Sequence, residues 1–219
     1  MLAVGAGAVL LTGALSRLTG RLLVGRTGSP TVLIAAERLR DDPWAAARTH
    51  AAVLVVTVVG TGFVGVRQAV LAELEEMRRE HTLGTGMSFY TTGLNLTGAA
   101  VVLALAIVLT ALAVGTAESV ATRRRGLTAQ VAAGVPQRVL ARALLLETAL
   151  PLAPAVLAAG VGGLAIGIGY GHLVDGGGRP MPYTALLVPA GVYAGCLLAA
   201  AASLPLLRRS VRPAELRYA

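Results

Sequence analysis

Apolar residues in this chain fall in long unbroken runs, not in the alternation of a half-buried strand or the three-and-four spacing of a surface helix. A helix needs about 20 such residues to cross roughly 30 Å of hydrocarbon. Five stretches reach or approach that length: residues 1–15, 51–71, 94–117, 143–173 and 185–207. The first is short. The fourth is longer than needed and holds Pro151 and Pro154, which remove backbone donors and are expected to kink it. The pattern predicts an all-α polytopic membrane protein of about five transmembrane helices.

Composition agrees. Of 219 residues, 55% are hydrophobic and 14% charged, against about 25% charged in soluble domains, and the mean hydropathy is +0.72. The formal charge is +8, carried by 19 basic residues that are all arginine. Segments 16–50, 118–142 and 208–219 hold fifteen of them. An excess of arginine marks the cytoplasmic side, so the N-terminus is expected outside, the C-terminus inside, and the protein in the cell membrane. An odd number of spans satisfies both ends. The arginines flank apolar runs and form no face with interleaved aromatics, which argues against nucleic acid. Residues 1–15 lack the positive start of a signal peptide and read as a retained helix.

Two pieces belong to the membrane surface. In "SPTVLIAAERLRDDPW", Ser29 and Pro30 make a cap and first helical position, and Val32, Leu33, Ala36 and Leu39 share a face. This piece is too short to span and reads as an interfacial helix on membrane lipid. Asp42 and Pro43 then offer a second helix start, with Trp44 at headgroup level; that helix is expected to turn up into the second span. Beyond the span, "ELEEMRRE" reads as a solvated extension with Glu75 and Arg79 as an i,i+4 pair.

Lipid gives helices no hydrophobic reason to associate, so small residues at four-residue spacing become the contact signal. The fourth span carries Ala155, Ala159, Gly163, Gly167 and Gly171 in such a ladder; the fifth carries Gly191, Gly195, Ala199 and Ser203. The two helices that carry them are expected to pack closely.

Between the third and fourth spans lies "RRRGLTAQVAAGVPQRVLARALLLE". Arg123, Arg124 and Arg125 follow the span, and Gly126 allows a turn. "LTAQVAA" supplies about two helical turns with Leu127, Val131 and Gln130 on one face. Gly134 is a natural helix stop, Val135 follows, and Pro136 suits the first position of the next helix. The expected product is a short helix across the cytoplasmic mouth of two spans. On physics alone two readings stay open: a handle held by a partner, or topogenic arginines with a helix resting on lipid.

The order of these elements resembles the FtsX/MacB-type permease family of ABC transporters, over about residues 29–219. In that family an interfacial elbow helix precedes a span, and two later spans are joined by a cytoplasmic coupling helix with a basic start and an "ALGA/GV"-like break. "RRRGLTAQVAAGVPQRVLARALLLE" is similar to that helix throughout, and "LPLLRRSVRPAELRYA" to the family's basic, proline-containing tail. "AAERLRDDPWAAART" resembles the segment before its first span. The resemblance implies a non-catalytic permease subunit whose coupling helix, residues 126–137 with Arg123, Arg124 and Arg125 at its start, sits in a groove of a cytoplasmic ABC ATPase. It implies pairing with a second copy or another permease module. Residues 29–219 would be the module with four spans, and residues 1–28 a span and basic linker left from a preceding one. The chain departs from the family in having Gly126-Leu127 where an acid often stands. Its outer segment, residues 72–93, is also too short for an extracytoplasmic domain. Transport and force transmission without transport both remain open, as does a scaffold or truncated remnant with no ATPase partner.

No catalytic chemistry is legible. There is no GxxxxGK[ST], so no phosphate loop, and "DGGGRP" lacks the lysine. There is no GxSxG. His50, His81 and His172 are scattered, with no partner at metal-ligand spacing, and Cys196 is single and mid-run. No cofactor or metal is expected. Arg67 and Glu147 are the ionisable residues nearest the spans, and both are expected to reach an interface by snorkelling.

Overall fold

The computed structural model describes residues 43–175 and 183–205, with Ala14 and Leu18. The expected first span, the elbow at 29–42, residues 176–182 and the tail from 206 lie outside the described residues. The described chain is helical, in the order α1 (Pro43–Arg79), α2 (Met87–Thr122), α3 (Arg124–Ala132), α4 (Gln137–Asp175), a 3-10 turn at Tyr183–Leu186 and α5 (Leu187–Ala202). All but α3 and the turn are long and apolar enough to cross a membrane; for α5 this counts the preceding turn. The protein is an all-α membrane protein, and no strand occurs among the described residues.

Local chemistry sets the helix ends. α1 starts at Pro43, whose fixed φ and missing N–H suit a first helical position. Its 37 residues make about 55 Å at 1.5 Å per residue, well beyond the hydrocarbon thickness. The surplus is the polar end, where Glu75 pairs with Arg78 at 2.7 Å and with Arg79 at 3.8 Å. α1 stops where His81 takes φ 57°. There the N–H of His81 bonds to the Arg78 carbonyl, and that of Thr82 to the Met77 carbonyl. Those two bonds make a Schellman cap with a histidine in the left-handed position. α4 stays one helix through Pro151 and Pro154.

The described chain divides into two compact units. One comprises Ala52–Ile107 and Val156–Tyr193, and its centre is α1. A Cβ on Gly65 would stand 2.8 Å from the Cα of Gly167, and one on Gly163 would stand 2.6 Å from Thr61 Cβ and 2.7 Å from the Val58 carbonyl. Backbone meets backbone there, as small residues in lipid permit. Against α2, Gly98 faces the Phe63 ring, and the Arg67 guanidinium donates to Asn95 Oδ1 at 3.3 Å. Towards the start of α5, Gly60 meets Val188, and the Gln68 amide donates to the Thr184 hydroxyl.

The helices expected to pack closely, α4 and α5, do meet, but not through their ladders. Gly163 and Gly167 pack on α1, not on the ladder of α5. The partner surface includes Thr61 and Gly65, four residues apart and both buried, with the backbone at Val58, Gly62 and Val66. α4 does meet α5 in this unit, but through Gly160 against Pro189. Gly171 and Gly191 have nothing within 4 Å of a Cβ position. Crossing helices stay close only over a turn or two, so a long ladder is used in part.

The other unit comprises Val108–Ala155 with the described parts of 1–51 and 194–219. Its buried residues include Leu112, Val120, Leu127, Leu140, Leu152 and Cys196. Gly195 faces Leu109 of α2 here. The short helix α3 belongs to this unit.

Candidate functional site

α2 ends as the sequence suggests, but the turn comes earlier. Arg123, at φ −88° and ψ 8°, is the one residue between α2 and α3. Its N–H closes α2 on the Ser119 carbonyl at 3.2 Å, and its carbonyl accepts from Leu127 N–H at 3.1 Å to open α3. Gly126, expected to make the turn, lies inside α3 with open space around it. The bend needs only a bridge-region conformation that any residue can adopt, so no glycine is required. Arg124 and Arg125 form the first turn of α3.

The end of α3 follows the sequence closely. Gly134 takes φ +89°; its N–H bonds to the Val131 carbonyl, and Val135 N–H reaches the Gln130 carbonyl at 3.0 Å. These are the two bonds of a Schellman cap with glycine in the left-handed position, and Pro136 follows to prevent continuation. The Pro136 carbonyl then accepts from Val139 and Leu140, opening α4.

The two caps fix how α3 is rolled. Leu127 is 2% exposed and packs with Val120 of α2 and Leu140 of α4; Val131, Val135, Ala141 and Leu144 close over them. Burying a leucine of this kind contributes about 1.5–3 kcal/mol. The apolar side chains expected to meet a partner therefore face the chain's own spans. Among the described side chains, those exposed on α3 are Gly126, Ala129 and Ala132, continued by Ala133, Gly134 and Pro136. Gln130 is half-buried, and its Oε1 has no hydrogen-bond partner among the described residues.

Charge is placed around this face. Arg138 and Arg142 are exposed one turn apart at the start of α4. Arg123 donates to Glu147 Oε1 at 2.9 Å. The sequence reading missed that pair, although Glu147 is the one carboxylate in the long apolar run after Arg142 until Asp175. An acid in such a run needs a cation within reach.

No family model, curated protein or solved structure matches the chain. The site must therefore be read from its own geometry. Among the described residues no group of three or more His, Cys, Asp or Glu could hold a metal. His50 and Cys196 are both buried. The geometry offers mechanics: α3 is clipped by one leucine to the end of one span and the start of the next. A force on its outer face passes to both.

Proposed function

We propose that this chain is the permease subunit of an ABC-type transporter, with α3 as the coupling helix that a cytoplasmic ATPase grips. The observation that carries the reading is the roll of α3. A helix resting on lipid would direct Leu127 and Val131 into the bilayer; here they lock onto Val120 and Leu140, and alanine and glycine face outward. A surface of small residues lets a groove approach the helix backbone closely, while the arginines at its edges favour an acidic rim. The similarity of "RRRGLTAQVAAGVPQRVLARALLLE" to the family's coupling region supports the same reading.

In this account the arginine-rich segments lie in the cytoplasm, the N-terminus is outside the cell membrane, and two permease modules pair so that two ATPases can close together. Nucleotide-driven closure pushes α3, and α2 and α4 move as levers for export or extrusion of a substrate. Ala129→Arg and Ala132→Arg place bulk and charge on the outer face without touching the Leu127 cluster. Protein purified in mild detergent is expected to carry a Walker-motif ATPase, identified by mass spectrometry, and each variant to lose it while remaining inserted. Retention of the ATPase by both variants would remove the basis for the proposal.

A further inference from the structure

We infer that the Arg123–Glu147 ion pair is a latch that sets the resting position of α3. Arg123 is the only residue between α2 and α3, so any swing of α3 must change its backbone angles. The same residue's guanidinium is tied at 2.9 Å to Glu147, 24 positions along the chain on α4. Glu147 also sits at a soft place. Pro151 has no N–H to offer the Glu147 carbonyl, and Pro154 none for Leu150, so the helical ladder lacks two bonds within one turn there. The pair therefore joins a hinge to the most pliable stretch of α4.

The apolar cluster beneath α3 cannot do this alone. Contacts among Leu127, Val120 and Leu140 are non-directional and tolerate a sliding helix, whereas a charge-assisted hydrogen bond fixes distance and angle. The side chains of Arg123 and Glu147 are 45% and 24% exposed. The pair is thus neither sealed nor fully screened, and it can open by exchanging its partner for water. Closed, it holds α3 against both spans; open, it leaves α3 attached by its apolar clip and free to pivot. The inference does not depend on an ATPase, because its readout is the motion of α3 itself.

Hydrogen exchange of the full chain in lipid nanodiscs, followed by mass spectrometry, tests it. Glu147 takes part in more than this one interaction, so Arg123→Gln is the cleaner lesion. It is expected to speed exchange of the 127–133 amides about two- to five-fold, the range a partly exposed ion pair supports, with amides in the spans unchanged. Arg123→Gln/Glu147→Gln should exchange no faster there than Glu147→Gln alone, since both changes break one link. The charge swap Arg123→Glu/Glu147→Arg should return exchange towards wild type. Wild-type protein needs no mutation to be tested: raising salt from about 0.01 M to about 1 M shortens the screening length from about 30 Å to about 3 Å. That should speed the same amides in wild type and leave the double glutamine variant unmoved. Unchanged exchange in Arg123→Gln, a swap as fast as the single variants, or wild type indifferent to salt would each overturn the latch.

Discussion

Replacing Gly163 with alanine tests the packing that holds the spans together, and the sign of the effect is decisive. A Cβ there would lie 2.6 Å from Thr61 Cβ, 2.7 Å from the Val58 carbonyl oxygen and 3.0 Å from the Gly62 nitrogen. Carbon–carbon contacts settle near 3.5–4.0 Å, so α1 and α4 would have to separate by about 1 Å. Two of the three neighbours are backbone atoms, and no rotamer change relieves them. Overpacking of this kind costs about 1–3 kcal/mol. Against it stands the helix preference of alanine over glycine, about 1 kcal/mol. The expected net is a loss of up to about 2 kcal/mol, at about 2–4 °C per kcal/mol for a chain of this size. Gly169 on the same helix has nothing within 4 Å of a Cβ position, so Gly169→Ala should be neutral or stabilising. Thermal unfolding of both variants in bicelles, with retained helical content as the baseline, separates the cases. Gly163→Ala as stable as Gly169→Ala would refute the close crossing of α1 and α4.

Further outcomes follow from the site. Leu127→Ala removes the clip under α3 and should cost about 2–5 kcal/mol within that unit, seen as loss of exchange protection in α3 with the spans still inserted. Gly134→Ala forces a side chain into the left-handed position at φ +89° and should cost about 1–2 kcal/mol, shown by fraying of α3 from its C-terminal end in the same assay. Asn95→Leu removes the acceptor for Arg67 at 3.3 Å but leaves an exposed guanidinium that can turn to the interface, so a change in thermal stability below about 1 kcal/mol is expected.

Signals that act over one or two turns were legible in the sequence. Asp42-Pro43 marked the start of α1, Glu75 and Arg79 the paired end of its polar extension, and Gly134 the stop of α3, because each depends on neighbours four or five residues away. Membrane insertion was equally plain, since the length of an apolar run is local too. Partners were less legible. In lipid every apolar face of a span looks alike, so the ladder on α4 announced a close contact without saying against what. Its partner was hidden because Thr61, one turn before Gly65, did not register as a small residue. The roll of α3 was not legible either: Leu127 and Val131 make one apolar face, and that face could meet lipid, a partner or the chain's own spans. Only the positions of Val120 and Leu140 decide. Glu147 was read as an acid that snorkels because its cation lies 24 residues earlier, beyond any helical spacing.

The claim on which the functional reading rests is that a protein, not lipid, covers the outer face of α3. A photo-crosslinking amino acid placed at Ala129 or Ala132 in intact cells measures this directly, with the lipid-exposed Leu157 as the control position. The account predicts an adduct to a Walker-motif ATPase from positions 129 and 132, and none from 157. Adducts to phospholipid alone from all three positions would contradict it.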